Sequence, residues 1–154
     1  MQNSILLDTI EGKKTSRPPV WFMRQAGRVL PSYLELRAKY SFWQLMINPE
    51  LAAKVTLLPV YDLGVDAAIL FSDILVIPYA MGMGLEFTDH GPKFDKPLKD
   101  YDNPLRKLNP EPDKLKFIYG TIDEIIQTRP DNSPLIGFAG ATTTCILYIR
   151  GVLR

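Results

Sequence analysis

Apolar positions in this chain fall into short runs broken by proline, glycine and polar residues, and the spacing within the runs changes along the sequence. Residues 4–11 place Ile5, Leu6 and Ile10 in a short helical pattern that Gly12 stops. Residues 13–18 are a polar lead into the apolar run 20–23, bounded by Pro18-Pro19 and Gly27, which reads as a first buried strand with Trp21 and Phe22 in the core. Pro31 favours an extended Leu30 and opens a helix over residues 31–39, with Tyr33, Leu34 and Arg37 at helical spacing. A further helical turn covers residues 42–47. Asn48-Pro49-Glu50 is a helix start: an N-cap residue, proline at the first position and an acid near the positive dipole end. Leu51, Val55 and Leu58 form the apolar stripe of that helix, Pro59 is expected to kink it, and Gly64 ends it.

Residues 65–71 are almost continuously apolar, the pattern of a parallel strand covered on both faces. Gly82-Met83-Gly84 breaks the chain, residues 85–88 alternate, and residues 90–97 around Gly91-Pro92 predict a short hairpin. Asn109-Pro110-Glu111-Pro112 opens another helix, buried through Leu115, Ile118, Ile122 and either Ile125 or Ile126. Pro130-Asp131-Asn132 turns the chain into a third strand at residues 135–138, and a helix can start at Thr142. Strands alternating with helices predict βαβ units, a parallel sheet and an α/β fold. Three core strands are too few for a complete (β/α)8 barrel, which takes about 250 residues. The pattern contains no internal repeat.

Composition narrows the function classes. With 46% hydrophobic and 23% charged residues the 154-residue chain has the make-up of an ordinary globular protein. A net charge of +1 excludes a broad nucleic-acid footprint, so any anion site must be local. The single Cys145 permits no internal disulfide and suits a reducing compartment. No apolar span of about 18 residues suits a membrane helix, and no signal-peptide pattern follows the N-terminus, so the expectation is a cytoplasmic protein. One histidine, His90, and one cysteine offer no credible zinc site, and Cys145 has no basic sequence neighbour to make it a nucleophile.

Candidate chemistry sits where the predicted strands end, since ligand-facing residues of parallel α/β folds lie there. The first run leads into Arg24-Gln25-Ala26-Gly27-Arg28, two guanidiniums four positions apart, each able to fork onto a carboxylate or phosphate. Gly27 there allows a close backbone approach or a positive φ. The arginines can equally pair with acids of a neighbouring loop. The second run ends in Ser72-Asp73, where the aspartate is either a cap for the next turn or a carboxylate facing ligand N–H groups. The third ends in Gly137-Phe138-Ala139-Gly140-Ala141, small residues that commonly serve only helix–sheet packing. Tyr148 follows on the last helix, a usual place for a core tyrosine with a wet tip.

Three blocks together are more specific. Pro-Val-Trp-Phe-Met-Arg-Gln-Ala-Gly-Arg at 19–28, Phe-Ser-Asp-Ile-Leu at 71–75 and Leu-Ile-Gly-Phe-Ala-Gly-Ala at 135–141 closely resemble motifs of the uroporphyrinogen decarboxylase family, in the family's order. The resemblance runs from about Leu6 to Tyr148. It implies the N-terminal part of a (β/α)8 TIM-type barrel over residues 1–154, a cofactor-free and metal-free lyase, and a cytoplasmic homodimer. The implied reaction turns the acetate side chains of uroporphyrinogen into methyls, giving coproporphyrinogen. By resemblance, Arg24 and Arg28 grip substrate carboxylates, Gln25, Ala26 and Gly27 add contacts, Asp73 binds the pyrrole N–H groups and Tyr148 completes this part of the site.

Two departures accompany the likeness. Ala141-Thr142-Thr143-Thr144 stands where the family has Ala-Pro-Trp-Thr, and residues 149–154 replace an acidic, glycine-rich continuation. The family's later serine or threonine and histidine fall beyond this chain, so a domain truncated at its C-terminus is expected to expose apolar flanks and to self-associate or pair with a missing half. Two competing readings are an inactive fragment with at most porphyrin affinity, and a corrinoid-dependent methyltransferase of the same superfamily.

Overall fold

The structure, a computed structural model, describes residues 4–88 and 91–151. In chain order the first elements are α1 (Ile5–Ile10), α2 (Pro31–Arg37), α3 (Phe42–Ile47), α4 (Pro49–Leu63), β1 (Ala68–Ile69) and α5 (Val76–Ala80). They are followed by β2 (Leu85–Thr88), β3 (Gly91–Phe94), α6 (Pro104–Lys107), α7 (Lys116–Thr128), β4 (Leu135–Ile136) and α8 (Thr142–Ile149). The described chain divides into two compact units. One holds the residues up to Phe71 together with Ile118–Phe138; the other holds Ser72–Phe117 and the residues from Ala139 on.

Helix starts are decided locally. Ser41 and Gln44 cap α3 reciprocally: the Gln44 N–H donates to Ser41 Oγ at 3.1 Å, and the Ser41 N–H donates to Gln44 Oε1 at 2.8 Å. Asn48 Oδ1 accepts the Leu51 N–H at 3.0 Å at the head of α4. Gly64 closes α4 with a φ of 65°, a conformation glycine reaches without a Cβ penalty. Pro59 lies inside α4, which remains helical on both sides of it.

In the first unit, β1 and β4 pair in parallel, with Ala68 opposite Leu135 and Ile69 opposite Ile136. The bonds from Ala68 N to the Pro134 carbonyl and from Leu70 N to the Ile136 carbonyl, each 3.0 Å, carry that ladder beyond the strands themselves. Ala53 and Leu57 of α4, Ala68, Leu70 and Ile125 of α7 form the buried core, with Val60, Ile118, Ile122 and Leu135 packed against it. Ile125 is fully buried and Ile126 is 57% exposed, which settles the face of α7. Phe71 is gripped edge-on by Tyr33 and Phe42, at centroid distances of 6.2 and 5.5 Å. Its N–H donates to Thr56 Oγ1 at 2.9 Å, and Thr56 Oγ1 itself donates to the Ala52 carbonyl at 2.8 Å.

The second unit packs α5 against α8 through buried Val76, Pro78, Ala80, Cys145 and Ile149. Its hairpin joins β2 and β3 antiparallel, Leu85 opposite Phe94 and Thr88 opposite Gly91, so it begins earlier than residues 90–97. His90 lies outside the described residues.

One expected element is different. Residues 20–23 form no strand, and Trp21 and Phe22 are not core residues but 41% and 55% exposed. The cause is local competition for backbone groups. Asp66 Oδ2 takes the Val20 N–H at 2.7 Å, and the Gln25 side chain takes the Phe22 N–H at 3.0 Å. One backbone bond remains, from Asp66 N to the Val20 carbonyl at 2.8 Å. Side chains thus hold the segment where a ladder was expected.

Candidate active site

The arginine block is a tight loop in the first unit. Gln25 N donates to the Phe22 carbonyl at 3.1 Å and Leu30 N to the Gly27 carbonyl at 3.0 Å, closing a turn at each end. Arg24 and Arg28 are exposed, and neither forms an ion pair among the described residues. Among the described residues, then, no acid neutralises either arginine. Between them Gln25 is only 3% exposed, while Ala26 and Gly27 are half-buried. Gly27 has no positive φ, and a Cβ there would meet only the Arg24 carbonyl at 3.5 Å, an ordinary contact. The positive φ expected for this glycine is absent, and no protein atom requires its missing Cβ.

A different acid of this unit does pair, with a different arginine. Arg17 forks onto Asp66 at 2.6 and 2.7 Å, and that hydrogen bond is the main cause holding the Asp66 carboxyl below its ordinary range. This pair borders a cleft of about 430 Å³ near the N-terminal ends of β1 and β4, lined also by Tyr61, Asn132 and Ser133. The Ser133 hydroxyl is buried without a partner among the described residues.

Asp73 and Tyr148 belong to the second unit. Asp73, in the chain segment leading into α5, is half-buried, and its Oδ1 accepts the Leu75 N–H at 2.8 Å. It thus caps one backbone donor, and its other oxygen takes no hydrogen bond among the described residues. Burial pushes its carboxyl above the ordinary value, and the Leu75 N–H pulls partly back. No cation pairs with it among the described residues. A desolvated carboxylate lacking a counter-charge gains most when N–H donors or a positive charge arrive. Tyr148, on α8, is half-buried.

The third block supports the Asp73 loop, a role its composition alone did not separate from general packing. A Cβ on Gly140 would fall 2.7 Å from the Ile74 carbonyl oxygen, 2.9 Å from Ile74 Cβ and 2.9 Å from Cys145 Sγ. The Cys145 thiol donates to the same Ile74 carbonyl at 3.3 Å, and burial pushes that thiol's pKa up, away from nucleophilic use. Gly137, by contrast, has open space around its Cβ position. Among the described residues no three His, Cys, Asp or Glu side chains gather as a metal site would require. Among the described residues no helix is long and apolar enough to cross a membrane.

Helices interleaved with a parallel strand pair define an α/β protein, and a solved methyltransferase from Methanosarcina mazei shares the fold. It matches with a TM-score of 0.68 at 20% identity, over 96% of this chain and 44% of that one, a likeness of fold alone. The chain belongs to the uroporphyrinogen decarboxylase (URO-D) family, whose model matches residues 1–152. It is 48% identical over 151 residues to a uroporphyrinogen decarboxylase of Aliarcobacter butzleri, covering 96% of this chain and 44% of the relative. It is 49% identical over 149 residues to one of Protochlamydia amoebophila, covering 96% and 40%. The chain thus spans about two-fifths of the length of these curated relatives.

Proposed function

We propose that this chain is the N-terminal portion of a uroporphyrinogen decarboxylase, one domain over residues 1–154 that contributes the first part of a (β/α)8 barrel and of its substrate site. The observation that carries this reading is the pair of exposed guanidiniums, Arg24 and Arg28, in a tightly closed loop and without ion pairs among the described residues. They grip substrate carboxylates by bidentate, charge-assisted bonds. Ala26 and Gly27 line the same loop and supply neighbouring contacts. Asp73 accepts pyrrole N–H groups, and Tyr148 borders the macrocycle.

The chemistry follows from these charges. Loss of CO2 from a pyrrole acetate needs an electron sink, and protonating the ring carbon provides it. The ring then carries positive charge, which the fixed Asp73 carboxylate stabilises. Removing one such preorganised partner costs about 10²–10³ in rate. No cofactor takes part, and the working assembly is a cytoplasmic homodimer.

A second reading is that the chain binds porphyrin without turning substrate over: the residues named here bind or stabilise substrate, and none of them is assigned to deliver the proton. One experiment separates the two. Uroporphyrinogen is incubated anaerobically with the protein and with Asp73→Ala, and chromatography follows coproporphyrinogen and its partly decarboxylated precursors. Turnover by the wild type and its loss in the variant supports the enzyme. Porphyrin binding without turnover supports the second reading, and absence of both rejects substrate binding and turnover by this chain while its family membership stands.

A further inference from the structure

Arg24 and Arg28 are exposed, yet the residue beside Arg24 is among the most buried polar groups of the chain: Gln25 is 3% exposed. Both ends of its carboxamide are used. Oε1 accepts the Phe22 N–H at 3.0 Å, and Nε2 donates to the Ala67 carbonyl, on the residue before β1, at 2.8 Å. Together with the bond from Gln25 N to the Phe22 carbonyl at 3.1 Å, this closes a ring over residues 22–25 and ties it to the core. A carboxamide is a neutral group that donates and accepts at once, so an apolar residue of equal size cannot replace it, and asparagine lacks the reach. Since no strand pairing holds residues 20–23, this end of the arginine loop is fastened by Gln25 at Phe22 and, two residues earlier, by the two bonds between Val20 and Asp66.

The geometry points to Gln25 as the positioning residue of the arginine pair: a clamp that fixes the backbone from which Arg24 and Arg28 reach a polycarboxylate, and not a ligand contact itself. The inference rests on the reading of these arginines as carboxylate-gripping groups and assigns the residue between them a different task. Neither polar end of Gln25 is free to meet a ligand.

The test uses the full chain with Gln25→Met, nearly isosteric but unable to donate or accept, and Gln25→Asn, which keeps the carboxamide one methylene short. Limited trypsin digestion is followed by mass spectrometry at two bonds: Arg28–Val29 in the loop, and Lys54–Val55 in α4 as an internal reference. Binding of uroporphyrin is read from its own fluorescence anisotropy, with Arg24→Ala for comparison. Both glutamine variants are expected to be cut after Arg28 about tenfold faster, the equivalent of one or two lost hydrogen bonds, with the Lys54 rate unchanged. They are expected to bind uroporphyrin about tenfold more weakly, because the loop must now be ordered on binding. An unchanged Arg28 rate overturns the clamp. Rates rising equally at both bonds overturn it too, by showing a general stabilising role. Faster loop cleavage with unaltered affinity overturns the link to the ligand. If the wild type itself does not bind uroporphyrin, the carboxylate-gripping reading falls, and the cleavage pattern still decides the clamp.

Discussion

Gly140 lies so close to Ile74 that a methyl group there would meet the Ile74 carbonyl oxygen at 2.7 Å and its Cβ at 2.9 Å. The Cys145 thiol reaches the same carbonyl at 3.3 Å. Ile74 follows Asp73 directly, so these two contacts fix the backbone that carries the aspartate. Gly140→Ala is expected to cost about 1–3 kcal/mol as an overpacking change, lowering Tm by several degrees. Gly137→Ala, with open space at that position, should remain within about 0.5 kcal/mol of wild type. Thermal melts of the two variants check the contrast, and equal Tm values would refute the clash.

Gly27 makes the opposite case. Its backbone needs no glycine, and a Cβ would meet nothing closer than 3.5 Å. Gly27→Ala should therefore leave the fold within about 0.5 kcal/mol of wild type. Should it nevertheless weaken porphyrin binding, the glycine is there for a ligand approaching the loop. Paired melts and anisotropy titrations distinguish the two effects.

Burial raises the Asp73 carboxyl above its ordinary value of 3.8. The folded state therefore holds this proton more tightly than the unfolded state. The associated stability is complete below the unfolded value and is lost as pH rises through the higher folded one. Asp73→Asn removes the charge while keeping an oxygen for the Leu75 N–H. It should raise Tm at neutral pH, and the gain should vanish below about pH 3.8, the unfolded value. Melts across pH 3 to 8 would reject this if the variant were less stable at neutrality.

Asp66 has the reverse sign. Its folded carboxyl is held below 3.8, first by the Arg17 hydrogen bonds. That contribution is present above the unfolded value and disappears as pH falls through the folded one. Asp66→Asn should lower Tm at neutral pH, with wild type and variant converging in acid. The same pH series measured on this variant checks it.

Ile125 and Ile126 test the packing of α7. Ile125 is fully buried against Ala53, Leu57 and Leu70, whereas Ile126 is 57% exposed. Ile125→Ala should cost about 2–5 kcal/mol and Ile126→Ala less than about 0.5. Urea denaturation of both variants gives the comparison directly.

Short-range signals were sufficient for much of this fold. Asn48 with Pro49, and Gly64, announce α4 because such caps act within a few residues of the chain, and the reciprocal cap of Ser41 and Gln44 that the structure shows on α3 is equally local. The alternation of helices with apolar runs likewise announced the α/β class and a parallel sheet, of which β1 and β4 are the observed pair, and the Arg-Gln-Ala-Gly-Arg block announced the family. Three things were decided only by tertiary contacts. Whether residues 20–23 became a strand depended on Asp66 and Gln25, whose side chains took the amides a ladder would have used. Which isoleucine of α7 went inside depended on where α4 and β1 lie, since adjacent positions differ by only about 100° around a helix. The separate duties of Gly27 and Gly140 could not be told from composition, because a glycine's reason is the atom its missing Cβ would have struck, and that atom arrives from elsewhere in the chain.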